Sequence, residues 1–217
     1  MSERFDHSQL QVCPACGTEV RLWSRASNFL VCPVCNIKSA KQGFTLNRSD
    51  KADQIQEDLS PLCIGLKGEF NKRAFQIIGR QQLKFDGCII NVWQMLDDDN
   101  ALFYVSESYA HYACLQEYSA SNRVAPSDLV AGNMVMWDGV KSQFVESLMP
   151  LMIEHMEGEY KEIWKIQAKS EFAILSNKIG ETALVHVDPY SMINVLKGKM
   201  IDFEDLNLKQ TRNLNEW

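Results

Sequence analysis

The sequence predicts a mostly β protein: an N-terminal zinc ribbon followed by one or two small β-barrel or sandwich modules, with little helix. Three observations predict it. Two cysteine pairs, Cys13-Pro14-Ala15-Cys16 and Cys32-Pro33-Val34-Cys35, stand 15 residues apart at the head of the chain. Beyond Pro61, short runs rich in β-branched and aromatic residues alternate with turn residues, the texture of an all-β fold and not of βαβ units. No segment sustains a 3.6-residue apolar stripe over about twelve residues, as an amphipathic helix requires.

The ribbon takes residues 1–46. Two C-x₂-C pairs at this distance have the spacing of a structural zinc site, because each pair forms a tight knuckle that aims two sulfurs at one point. Cys13, Cys16, Cys32 and Cys35 together make the closed four-thiolate shell that Zn²⁺ prefers, with no position left for a catalytic water. Between the knuckles, Glu19-Val20-Arg21-Leu22-Trp23-Ser24 alternates polar and apolar residues. Ser27-Asn28 turns the chain and Phe29-Leu30-Val31 returns it, so the expected local form is a zinc-stapled β-hairpin. Gly17 follows Cys16 where a knuckle often needs positive φ. A disulfide framework is disfavoured because nothing marks the chain as secreted.

Residues 47–60 are polar and charged and read as a linker with one or two helical turns. A first β module is expected over 61–118, with strands at 74–78, 88–96, 102–107 and 111–115. Lys84-Phe85-Asp86-Gly87 and Asp97-Asp98-Asp99-Asn100 are the turns between them. A second module is expected over 127–208, with strands at 134–137, 143–148, 151–155, 160–167, 171–175 and 182–187. Asp138-Gly139 and Glu157-Gly158 mark turns, residues 202–208 form a short helical piece, and 209–217 are a tail. Gly68 leading to Phe75, and Gly139 leading to Phe144, echo each other as glycine-led strands.

The chain has 22 Lys and Arg against 28 Asp and Glu, a net charge of −6 and a pI near 5.3. Phosphate recognition needs a basic surface, and the chain as a whole lacks one. Its first 51 residues are locally basic through Arg4, Arg21, Arg25, Lys38, Lys41, Arg48 and Lys51. Met1–His7 has no apolar run and so does not read as a signal peptide, and no stretch approaches the roughly 18 apolar residues expected of a membrane span. The leftover Cys63, Cys88 and Cys114 suit a reducing cytoplasm and read as buried structural thiols.

Several short motifs resemble the uncharacterised bacterial domain-of-unknown-function family 4178. After the cysteine knuckles come Ile64-Gly65-x₂-Gly68, Phe75-Gln76-Ile77-Ile78-Gly79-Arg80, Trp93-Gln94-Met95-Leu96 and Leu102-Phe103-Tyr104-Val105-Ser106-Glu107. Leu129-x₂-Gly132, Phe144-x-Glu146, Glu157-Gly158-Glu159 and Gly198-Lys199-x₄-Glu204-x-Leu206 continue the series. The chain departs from the family pattern at Gln94, where a carboxylate is expected. The resemblance covers most of residues 60–208. It implies a compact, mostly β, cytoplasmic protein with no assigned catalytic residues to carry over. Similar proteins tend to be encoded near membrane-stress and phage-shock-like components.

A search for catalysis finds no nucleotide-binding or nucleophile-elbow signature. His155, among Glu154, Glu157 and Glu159, reads as part of a solvated turn. His186 and Asp188 share one strand face and read as a structural hydrogen bond. His111 reads as a packed residue in an aromatic strand. Asp97-Asp98-Asp99 reads as a solvated hairpin tip, since calcium-loop spacing is missing. Trp93, Trp137 and Trp164 read as cross-strand core.

Three functional classes follow. The first is a non-catalytic zinc-ribbon adaptor or regulatory protein that binds a protein partner, with Trp23 and Phe29 as the expected contact residues. The second is a small-ligand binder or unrecognised enzyme with a pocket between the β modules, lined by His155, His186 or Glu107. The third is a nucleic-acid-binding ribbon, in which Arg21, Arg25, Lys38 and Lys41 cluster beside Trp23 and Phe29.

Overall fold

The computed structural model of the chain describes residues 8–51, 60–85, 88–119, 124–137, 141–150, 152–164, 167 and 169–212. The strands are β1 (Gln9–Val12), β2 (Glu19–Leu22), β3 (Phe29–Val31), β4 (Ile37–Gln42), β5 (Thr45–Lys51), β6 (Lys67–Phe70), β7 (Arg73–Phe85) and β8 (Cys88–Asp97). They continue with β9 (Leu102–Ser108), β10 (His111–Tyr118), β11 (Met134–Trp137), β12 (Lys141–Pro150), β13 (Met152–Tyr160), β14 (Glu171–Ser176), β15 (Glu181–Val187) and β16 (Ile193–Ile201). The protein is mostly β, as its sequence texture dictates. Helical structure among the described residues is confined to two 3₁₀ turns, Pro126–Asp128 and Phe203–Leu206.

β1 and β2 pair alone. The other fourteen strands form one antiparallel sheet in the order β11-β12-β14-β15-β16-β10-β9-β8-β7-β13-β3-β4-β5, with β6 also on β7. β12 ends at Pro150 and β13 begins at Met152, yet β12 pairs with β14 and β13 with β7. One run of chain thus joins β12 to β13, second and tenth in that order, and the sheet between them curls, barrel-like, around one shared interior. Its interior holds Leu83, Ile90, Val92, Tyr104, Leu115, Phe172, Leu184, Leu196 and the indole of Trp164. Period-two alternation puts Trp93 and Met95 of β8 on the outer face, against Phe75, Phe103 and the covering Leu62 and Leu206. A third core, with Val185 and Leu175, lies beneath Leu129 and Val135. Trp93 and Trp164 are core residues, as expected; Trp137's side chain lies outside the described residues.

Several expectations need correction. The expected hairpin between the knuckles does not form: β2 pairs with β1, and β3 pairs with β4 and β13. Each knuckle is the turn of its own hairpin. Residues 47–51 belong to β5 and not to a linker; the rest of that stretch up to residue 59 lies outside the described residues. Glu157-Gly158 is no turn between strands but the middle of β13. There Gly158 (φ 68°) faces both Gly79 of β7 and Val31 of β3. A Cβ on Gly158 would meet Ile64 and the Ile78 carbonyl, and one on Gly79 would meet the Glu159 carbonyl. The glycine signal was real, but it serves a close strand crossing. Residues 161–164 are not strand, whereas β16, which sequence reading passed over, closes the barrel between β15 and β10.

The hydrogen-bonded pairings also cross the expected module limits. β13 bonds the first module's β7 and the ribbon's β3, and β16 bonds β10. Asp97–Asn100 is the expected hairpin tip, but Asp97 is buried and not solvated, its Oδ1 accepting the N–H groups of Asp99 (3.0 Å) and Ala101 (2.7 Å). No helix among the described residues is long and apolar enough to cross a membrane.

Candidate metal centre and the adjoining cleft

The two knuckles repeat one local geometry. In the first, Cys13 N–H donates to Thr18 O and Gly17 N–H to Cys13 O, at 2.8 and 3.0 Å. In the second, Cys32 N–H donates to Ile37 O and Asn36 N–H to Cys32 O, at 3.1 and 2.9 Å. Gly17 and Asn36 both take positive φ, 76° and 55°, and Asn is the residue that best replaces glycine there. Each fold-back buries its first cysteine and leaves the second nearer the surface.

The four sulfurs lie within 4.8 Å of one another. Cys13 Sγ is 3.8 Å from Cys35 Sγ, and Cys16 Sγ is 3.8 Å from Cys32 Sγ. A tetrahedron with metal–sulfur arms of about 2.3 Å has edges of about 3.8 Å, so the thiols are spaced for one metal ion. The thiols also perturb one another's protonation. The Thr18 hydroxyl and backbone N–H draw the Cys16 thiol down to about 6. At Cys35 the Ile37 backbone N–H also lowers the value. Desolvation and the other three thiols outweigh it and push the group up to about 12. Four thiolates this close need a cation among them.

Beneath the ribbon lies a buried ion pair that sequence reading missed. Glu159 of β13 accepts the backbone N–H groups of Trp23 (2.6 Å) and Ser24 (2.9 Å) and the Ser27 hydroxyl (2.7 Å). Its Oε1 sits 3.1 Å from Lys41 Nζ, and both side chains are essentially unexposed. Lys41 also donates to the carbonyls of Ser24 and Ser27. One carboxylate and one ammonium thereby satisfy five polar groups of the 23–27 loop and hold it against the barrel. The Glu157-Gly158-Glu159 motif carried the signal, but nothing in sequence pairs position 159 with position 41.

This loop forms one wall of a cleft of about 620 Å³, lined by Trp23, Arg25, Phe44, Ser8, Gln9 and Asn100 among others. The guanidinium of Arg21 lies 5.5 Å from the Trp23 ring centroid and that of Arg25 lies 5.4 Å from Phe44. Of the two expected contact residues, Trp23 is half-buried and borders this cleft. Phe29, also half-buried, does not join it. It stacks on Tyr160 of β13 at 5.5 Å, with Lys38 Nζ 3.9 Å above its ring.

The residues named for a catalytic pocket are dispersed. Glu107 is on the barrel's outer face, where Ser60 Oγ (2.7 Å), Trp93 Nε1 (2.7 Å), Asn91 Nδ2 (3.2 Å) and Tyr112 OH (3.3 Å) donate to it. Asn91 Oδ1 in turn accepts from the buried Arg80 and Gln82. His186 shares the inner face with Leu184 and is fully buried. The expected His186–Asp188 bond does not form: Asp188 Oδ1 accepts the N–H groups of Tyr190 and Met192 instead. The imidazole meets no hydrogen-bond partner among the described residues, and burial lowers its pKa. His155 lies half-buried within β13 opposite Gln82, not in a solvated turn. His111 is exposed, not packed, because it follows the positive-φ pair Tyr109-Ala110 that turns β9 into β10. Cys63, Cys88 and Cys114 are half-buried, and burial pushes the Cys114 thiol up to about 11.

Fold and site together define a class: a mostly β protein with one large antiparallel sheet and a four-cysteine cluster on the strands at one of its edges. Beyond that class, no protein-family model matches the chain, and neither a curated protein nor a solved structure matches it.

Proposed function

We propose that the protein is a non-catalytic zinc-ribbon adaptor or regulatory protein that binds a protein partner. Zn²⁺ at Cys13, Cys16, Cys32 and Cys35 is structural in this reading. Four soft thiolates at tetrahedral spacing suit it, and a filled shell leaves no open position for chemistry. Reduced thiols at the site favour a cytoplasmic setting. Three of the motifs resembling family 4178 fall on β7, β8 and β9, and kinship with that bacterial family, including a role in a membrane-stress or defence system, belongs to the same proposal.

One observation carries the reading. The Glu159–Lys41 pair anchors the 23–27 loop from beneath, so that Trp23 and Phe44 border an open cleft at the junction of ribbon and barrel. Rigidly presented aromatics are what anchor protein interfaces. The nucleic-acid alternative draws less support, because Lys41 is buried against Glu159 and Lys38 is spent on Phe29 and, at 3.5 Å, on Glu162. The enzyme alternative is weakened by Glu107 and His186 lying on opposite faces of the sheet.

The test is to isolate the tagged chain from reducing lysate and compare it with Trp23→Ala. The expected result is a stoichiometric protein partner that the variant fails to retain, with zinc content unchanged. Turnover of a metabolite by the purified protein, stopped by His155→Ala or His186→Ala, would overturn the reading.

A further inference from the structure

From the cleft's charge and edges we infer that the partner presents an extended acidic segment, laid beside β1 with its carboxylates on Arg21 and Arg25. The inference rests on the adaptor reading and specifies its ligand chemistry.

Three features of the ribbon converge on that chemistry. The first is the state of the two arginines. Arg21 donates to the neutral Ser8 hydroxyl at 2.8 Å. Neither Arg21 nor Arg25 meets a carboxylate among the described residues. Both are exposed, and each guanidinium is oriented over an aromatic ring of the cleft. A planar guanidinium beside a ring still presents donors toward a carboxylate, and Arg21 spends one of its five on the Ser8 hydroxyl.

The second feature is β1. Among the described residues it is hydrogen-bonded to β2 alone, with β5 nearby; its first residue, Gln9, lines the cleft, and its Leu10 and Val12 are 50% and 60% exposed. An added strand could bond that backbone while alternate side chains meet the apolar pair. The third is the charge distribution. Residues 1–51 carry seven Lys and Arg against four Asp and Glu, whereas residues 52–217 carry fifteen against twenty-four. A short acidic segment confined to the ribbon meets net positive charge. A long polyanion such as RNA would run on over the acidic barrel, so a peptide is favoured over nucleic acid.

The test uses fluorescence anisotropy of a short labelled peptide of alternating glutamate and valine, added to the full zinc-loaded chain. The controls are the same peptide with lysine for glutamate, and oligo-thymidine. Salt-sensitive binding of the glutamate peptide alone is expected, weakened about tenfold or more by the double change Arg21→Glu and Arg25→Glu. Arg25→Lys should give an intermediate loss, because charge remains while the fork is gone. Unchanged zinc content in these variants shows that the ribbon is intact. Equal binding of the lysine peptide, tighter binding of oligo-thymidine, or indifference to the arginine changes would overturn the inference. Loss of the captured partner in Trp23→Ala but not in the double arginine variant would sink the acidic segment and leave the adaptor reading standing. Retention of the partner in both would sink the two together.

Discussion

The ribbon and the barrel solve the same problem with different resources. The barrel interior gathers Trp164, Phe172, Tyr104 and a ring of leucines from eight parts of the chain. The ribbon's own core is Val20, Leu22 and Leu30 beside the thiols of Cys13 and Cys32. A core that small cannot offset the conformational entropy of some forty residues. The barrel can therefore fold by burial, whereas the ribbon needs the ligation that the proposed Zn²⁺ would supply, and the two meet at Glu159. The difference teaches where each region is vulnerable: the ribbon to loss of its metal or of that carboxylate, the barrel to changes in its interior.

The largest expected effect comes from the metal shell. Cys16→Ser, or a strong chelator, should remove on the order of 10 kcal/mol of ribbon folding energy. Hydrogen exchange should then become fast across β1–β4 and stay slow in β8 and β9. Equal loss of protection in the barrel would show that the two regions fold as one unit. Next in size is the seam. Glu159→Gln leaves Lys41 charged and unpaired and should cost about 3–5 kcal/mol in denaturant unfolding. Adding Lys41→Met should recover much of that loss, since both buried charges are then gone. A Glu159→Gln cost below about 1 kcal/mol would mean that the pair does not bind ribbon to barrel.

A smaller effect concerns the barrel alone. Burial disfavours the His186 imidazolium, so its folded pKa lies below the ordinary 6.5, with Asp188 opposing only in part. The unfolded chain therefore takes up the proton at higher pH than the folded one. This contribution to stability is fully present above about 6.5 and is lost progressively as pH falls below it. His186→Leu should flatten that part of the pH–stability curve in metal-saturated protein; an unchanged slope would refute it. The smallest stability effect is expected for Trp23→Ala, about 1 kcal/mol or less, because the loop is held through the Trp23 backbone and not its ring. A large fall in the melting transition would make Trp23 a core residue.

How much of this could be read in the sequence depends on the range of the interaction. The four-cysteine cluster was legible because knuckle spacing is local chemistry. β8 and β9 were legible because their turn at Asp97–Asn100 and their β-branched runs are local too. The pairing of β3 with β13 was not, since β13 lies well over a hundred residues away and its one glycine, Gly158, looks the same whether it turns a chain or lets two strands cross. β16 was missed because Lys197-Gly198-Lys199 breaks its apolar run, although Gly198 is required where the Cys114 carbonyl approaches. Lys41 looked like one more surface cation, and only the fold places it against Glu159.

The account turns on the four thiols holding one metal ion. The most direct test is metal analysis with X-ray absorption on the purified full chain. The predicted result is about one Zn²⁺ per chain in a four-sulfur shell at about 2.3 Å. Well-folded protein that carries iron, holds disulfides between these cysteines, or binds no metal would contradict it.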